Sequence, residues 1–191
     1  MAISLRKGER INLSSPDKKV NGVIVCLGWD SAGIDDTQSK CQIDCDLSAI
    51  LCGLDNKACD VIYFEHRRNA NDSIVYTGDS RTGQGDGDDE KIYIHFTKLP
   101  PNIGKIVLVA NIYDARAKRQ HFGMINNAYT KVVNWKTGEE ICRYNLTDDY
   151  NHMTGIIIAE IVRFAQGWYF SSSGRPVQEA SRLQSIIKLY Q

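Results

Sequence analysis

Ten short runs of strand character, each cut off by Gly, Asn or Asp, leave this chain few folds to choose from. They are "VNGVIVCLGW" (20–29), "CQIDCDLSAIL" (41–51), "CDVIYFE" (59–65), "SIVYT" (73–77), "KIYIHF" (91–96), "KIVLVANIY" (105–113), "AYTKVVN" (128–134), "EICRYNL" (140–146), "GIIIAEIVRF" (155–164) and "GWYF" (167–170). The gaps between them are too short to hold a helix after every strand, so βαβ units are excluded. An all-β fold, an antiparallel β-sandwich, follows. Two helical pieces are predicted beside it. "DARAKRQHFG" (114–123) reads as a short surface helix or turn, and "PVQEASRLQSIIKLY" (176–190) as an amphipathic C-terminal helix opening with Pro. With 191 residues, 42% of them hydrophobic, and no repeat or linker, the chain is expected to form one domain over 1–191.

Net charge is zero, which argues against non-specific attraction to nucleic acid or an anionic membrane. That average hides a gradient. Residues 1–90 carry 10 Lys/Arg against 16 Asp/Glu, a net of −6, and residues 91–191 carry 13 against 7, a net of +6. Thirteen of the 16 aspartates lie in the first 90 residues, and Asp is the short carboxylate favoured in turns and cation cages. The start "MAISLRKGER" has no apolar core of a signal peptide, and no apolar run approaches a membrane span. A cytoplasmic protein with reduced thiols is expected. Cys41, Cys45, Cys52 and Cys59 form no C-x-x-C pair and read as small buried hydrophobes rather than zinc ligands.

The acidity peaks in "TGDSRTGQGDGDDE" (77–90), which holds four glycines, four aspartates, one glutamate and a single positive charge, Arg81. Two carboxylates ~4 Å apart repel by about 1 kcal/mol in water and by more near a protein surface. Such a loop stays extended in water, holds a cation, or receives a basic partner. Hard cations take six to eight oxygens from carboxylates and carbonyls, and alternating Gly and Asp supplies both. The spacing is not an EF-hand: the sixth position counted from Asp79 is Gln84 rather than Gly, and strands flank it. Nor is it a phosphate loop, since it has no Lys and its acids would repel phosphate.

In 41–47 the alternation is strict. Cys41, Ile43, Cys45 and Leu47 share one face of a strand; Gln42, Asp44 and Asp46 share the other. The two carboxylates would then stand about 7 Å apart on one side, a span one cation can bridge. A solvated polar face is the plainer alternative. Asp30, in "LGWD" (27–30), is either a third carboxylate at a strand end or a turn residue.

Taken in order, "LGWD" (27–30), "IDCDLSA" (43–49), "TGDSRTGQGDGDDE" (77–90) and "YDARAKRQHFG" (113–123) resemble the tellurium-resistance TerD family across almost the whole chain. The resemblance implies a calcium-binding β-sandwich without known enzymatic activity, belonging to tellurite-resistance and general stress clusters and acting with other Ter-type proteins. The family's acidic cage would fall on Asp30, Asp44, Asp46, Asp79, Asp86, Asp88, Asp89 and Glu90. Carbonyl or hydroxyl oxygens would come from Ser80, Thr82, Gly83, Gly85 and Gly87. Eight acids exceed what one Ca²⁺ needs, so two ions are expected. The chain departs from the family at Ser80, where "TGDN" is usual, and at Cys41–Gln42, where Asp is frequent.

His66, His95, His121 and His152 form no metal-binding spacing and read as structural or surface residues. Asp114 either reaches toward the cage or caps the following turn. "RAKR" (116–119) is a small basic patch, and Trp29, Trp135 and Trp168 are core or rim aromatics. Three functions are open at this point: a calcium-binding module that associates with stress-cluster proteins, a calcium-dependent sandwich making peripheral membrane contact, and an Mg²⁺-dependent hydrolase. The loop has no apolar tip for a membrane and no base or phosphate-binding cation beside Arg81, which favours the first.

Overall fold

A computed structural model describes residues 2–14, 20–31, 42–78, 80–83, 87–178 and 183–191. Twelve strands form among them: β1 (Ile3–Leu5), β2 (Arg10–Asn12), β3 (Gly22–Ser31), β4 (Cys45–Gly53), β5 (Ala58–Ile62), β6 (Ile74–Gly78), β7 (Glu90–His95), β8 (Ile103–Ile112), β9 (Ile125–Asn134), β10 (Glu140–Asn145), β11 (Gly155–Phe164) and β12 (Gly167–Val177). They build two six-stranded sheets. The first runs β1-β10-β9-β3-β7-β6 and the second β2-β12-β11-β8-β4-β5. Every pairing is antiparallel except β1 with β10.

Period-two alternation explains the sandwich. Val23, Val25, Leu27 and Trp29 of β3, with Ile92 and Ile94 of β7, face Leu47, Ala49 and Leu51 of β4 and Ile106, Leu108 and Ala110 of β8 across one core. In β11 the register slips between Ile157 and Ala159, so Ile158 and Ala159 both join that core.

The second sheet is covered on its outer face as well. There Ile50, Cys52, Val107, Val109 and Ile157 pack against Leu183 and Ile186 of helix α2 (Leu183–Ile187). Burial on both faces is why "KIVLVANIY" reads as a nearly unbroken apolar run.

All ten anticipated strands form, and two more were missed. "ISL" and "RIN" are three residues each, too short for alternation to show. The C-terminal helix begins later than expected. Residues 175–177 extend β12 against Gly155–Ile157, and β2 pairs only with Tyr169–Ser171. Among the described residues Pro176 therefore lies at a free sheet edge, where its missing N–H costs no ladder bond. In 114–123 the α-helix α1 covers only Ala115–Lys118, with a 3₁₀ turn at Phe122–Met124. Asp114 stands at the N-cap position, but its side chain makes no capping bond. Of the cysteines, Cys45 and Cys52 are buried as expected, Cys59 is exposed, and Cys41 lies outside the described residues.

Ile186 is fully buried under the second sheet. Truncating it to Ala is expected to cost about 2–4 kcal/mol and to lower the urea midpoint with an unchanged m value. An unchanged midpoint would show that α2 is not part of the cooperative fold.

Candidate functional site

Antiparallel pairing brings four chain segments to one end of the sandwich. Leu27 pairs with Glu90, Gly78 pairs with Glu90 from the other side, and the chain entering β4 at Asp44 accepts a hydrogen bond from the Tyr113 N–H at 2.8 Å. Asp30, Asp44, Asp46 and the described part of 77–90 therefore collect where β3, β6 and β8 end and β4 and β7 begin.

Glu90 is at the centre and is 1% exposed. Its carboxyl group accepts from the Tyr76 hydroxyl, from the Leu47 N–H at 3.3 Å and from the Ser80 N–H at 3.3 Å. Two of these donors belong to the first sheet and its loop, and Leu47 belongs to the second. Trp29 makes a second crossing, donating its indole N–H to the Ile43 carbonyl at 3.0 Å. Gly83 lies on that indole with φ of +59°, and a Cβ there would stand 2.3 Å from Nε1. Only Gly combines this backbone with this approach, so the loop is pinned onto Trp29.

Asp89 and Asp88 diverge. Asp89 accepts from the Trp29 N–H at 3.1 Å and gives its own N–H to the Leu27 carbonyl. Burial pushes its carboxyl above the usual carboxylate range against the opposing bonds from Trp29 and Ser80, and the charges of Asp30 and Asp88 add to the rise. Asp88 accepts from the Tyr129 hydroxyl at 2.9 Å and pairs with Lys131 at 2.9 Å. Burial opposes its ionisation too, but Lys131 and Tyr129 outweigh it and hold the carboxyl below the usual range. Asp30 is exposed and accepts from the Asn127 side chain at 2.7 Å.

Asp44 and Asp46 line one cleft of about 530 Å³, together with Gln42, Phe64, Tyr113, Arg81 and Lys118. They do share a side, but the strand begins at Cys45 rather than Cys41, and Asp46 is buried rather than solvated. The loop's one cation, Arg81, lines the same cleft as both strand carboxylates.

Ser80, Thr82, Gly83 and Gly87 are described; Asp79, Gly85 and Asp86 lie outside the described residues. Among the described residues no three of His, Cys, Asp and Glu converge on one point. The partners Tyr76, Tyr129, Lys131 and Asn111 were not foreseen. Asn111 left a trace, as the one amide inside an apolar run.

The chain matches the TerD domain family over residues 1–190 and belongs to it. It is 40% identical to "Stress response protein SCP2" of Bacillus subtilis (strain 168), covering both chains in full. It is 35% identical to "Tellurium resistance protein TerD" of Serratia marcescens, covering all of this chain and 97% of that one. A crystal structure of a homologue of telluride resistance protein (TerD) from Streptomyces coelicolor A3(2) shares the fold, with a TM-score of 0.68 at 23% identity over 84% of this chain and 92% of that one. The names of these relatives are those of stress and resistance proteins and specify no catalytic activity. Among the described residues no helix is long and apolar enough to cross a membrane.

If Glu90 ties the sheets together, Glu90→Gln turns an amide N–H toward groups that are themselves donors. In chelator it is expected to cost about 2 kcal/mol, a Tm lower by about 4–8 °C by calorimetry, while exposed Asp30→Asn stays within about 0.5 kcal/mol. Equal melts for the two variants would remove Glu90 from this role.

Proposed function

We propose that the protein is a cytoplasmic, calcium-binding module of the stress and tellurium-resistance response, without turnover of its own, that associates with other Ter-type proteins. The observation that carries the reading is the meeting of Asp30, Asp44, Asp46, Asp89 and the Gly-rich loop at one end of the sandwich. The described donors there are carboxylate, hydroxyl and carbonyl oxygens, with the Cys45 thiol buried in the core between Asp44 and Asp46, which fits a hard cation. The Asp89 carboxyl, pushed up by burial and by neighbouring acids, is one whose ionised form a cation would stabilise.

Asp44, Asp46 and Asp89 do not converge on one point among the described residues, so they would close on the two expected ions as these bind, with Thr82 and loop carbonyls completing the shells and Asp79 and Asp86 as further ligands. Bound calcium would cancel repulsion among these acids and order the 77–90 loop into a surface that a partner protein reads. The basic residues Arg116, Lys118 and Arg119 would offer that partner a second contact.

Calorimetric titration of the chelated protein is expected to give a dissociation constant of roughly 10⁻⁷–10⁻⁵ M, with Mg²⁺ weaker. At 100-fold that concentration calcium should stabilise the fold by about 2.7 kcal/mol. The Asp44→Asn/Asp46→Asn double variant should weaken binding and stay folded. A flat titration at millimolar calcium would sink the calcium reading. Partner lists from stressed-cell extract that are identical with calcium and with chelator would sink the calcium-dependent association.

A further inference from the structure

The outer face of the second sheet changes character along its length. Where α2 lies on it, the face is apolar, built from Ile50, Cys52, Val107 and Val109. Beyond the start of α2 the same strand faces continue as Asp46 and Ser48 on β4 and Asn111 on β8, with Asp46 and Asn111 directly paired. Ser48 is 1% and Asn111 5% exposed. The Asn111 amide N–H donates to Asp46 Oδ2 at 3.4 Å, but Asn111 Oδ1 and Ser48 Oγ have no partner among the described residues. Buried polar atoms are nearly always paired, and leaving one unpaired costs about 1–3 kcal/mol.

Asn111 and Ser48 are among the residues that line a cavity of about 140 Å³. Its walls are Tyr63, Phe64, Tyr113 and Leu183, and Glu65 adds a second carboxylate besides Asp46. Tyr63 and Tyr113 each meet Phe64 edge to face, with centroids 5.4 and 5.8 Å apart. Among the described residues no Lys or Arg lines it.

Floor and walls together select a ligand by charge. Two carboxylates and an amide oxygen accept hydrogen bonds and repel anions, and aromatic rings attract cations across their faces. The neighbouring cleft already displays this preference, because Lys118 Nζ sits 5.0 Å from the centroid of Tyr113. The volume is close to that of a cavity of about 150 Å³ that admits benzene, so a short alkyl chain fits behind the charged head. We propose that this cavity binds a small organic cation, a primary alkylammonium, whose N–H groups pair with Asn111 Oδ1, Ser48 Oγ and the Asp46 carboxylate against the Tyr63, Phe64 and Tyr113 rings. This does not rest on the calcium reading, although Asp46 borders both.

The test is calorimetric titration of the full chain with 1,4-diaminobutane and n-butylamine, with n-butanol as the uncharged control. Each is run in chelator and in saturating calcium. Saturable one-to-one binding of the amines and none of butanol is expected. Ser48→Ala and Tyr63→Ala, which leave the proposed calcium donors intact, should each weaken the amine at least tenfold while calcium affinity stays unchanged. A flat amine titration, as when ordered water fills the cavity, overturns the proposal. So does equal binding of butanol, or full amine affinity in both variants, which would put the amine at the acidic loop. Tighter binding of Nα-acetyl-lysine amide than of either amine would overturn the small-molecule assignment in favour of a protein side chain. Amine binding without calcium binding would reject the calcium reading alone.

Discussion

The buried carboxyl group of Glu90 holds the functional end of this sandwich together. A carboxyl taken out of water is tolerated only when its oxygens are satisfied, and here Tyr76, Leu47 and Ser80 do so from three segments. Because Leu47 is on the opposite sheet, the bond fixes where one sheet sits over the other at this end. The acidic loop leaves β6 and returns into β7 at Glu90 itself. Its position is therefore set by a residue that also belongs to the acidic motif, and Gly83 on the Trp29 indole secures it from the other side.

The charge gradient along the chain is folded back on itself. Asp88, at the end of the acidic half, meets Lys131 of the basic half because β9 lies beside β3, and β3 lies beside β7. One acid of the loop is neutralised this way by the protein. Asp89, the next residue and turned away from that lysine, is pushed up by burial and by its acidic neighbours. Two adjacent carboxylates thus diverge into different environments, and among the described residues only one of them has a basic partner from the second half of the chain.

Coverage of the second sheet on both faces has a related consequence. A five-residue helix is long enough to hide the apolar half of the outer face, but the strands continue past it as Asp46, Ser48 and Asn111. Those groups are sheltered by the aromatic cluster around Phe64 and by the first residues of α2, which is how a polar cavity arises next to an apolar core.

What the sequence determined by itself was whatever depends on local periodicity. The ten longer strands, the all-β architecture and the shared side of Asp44 and Asp46 follow from alternation and turn residues, and the 77–90 motif marks the family. The three-residue strands escaped because they are held by partners far along the chain, Ile3–Leu5 by β10 and Arg10–Asn12 by β12. Only the tertiary structure decided which acid faces which neighbour. Glu90 turns inward to the opposite sheet, Asp88 meets a lysine 43 residues away, and Asp46 lies under cover beside Asn111. Each depends on strand order and sheet packing, which bring together groups that no window of the sequence contains.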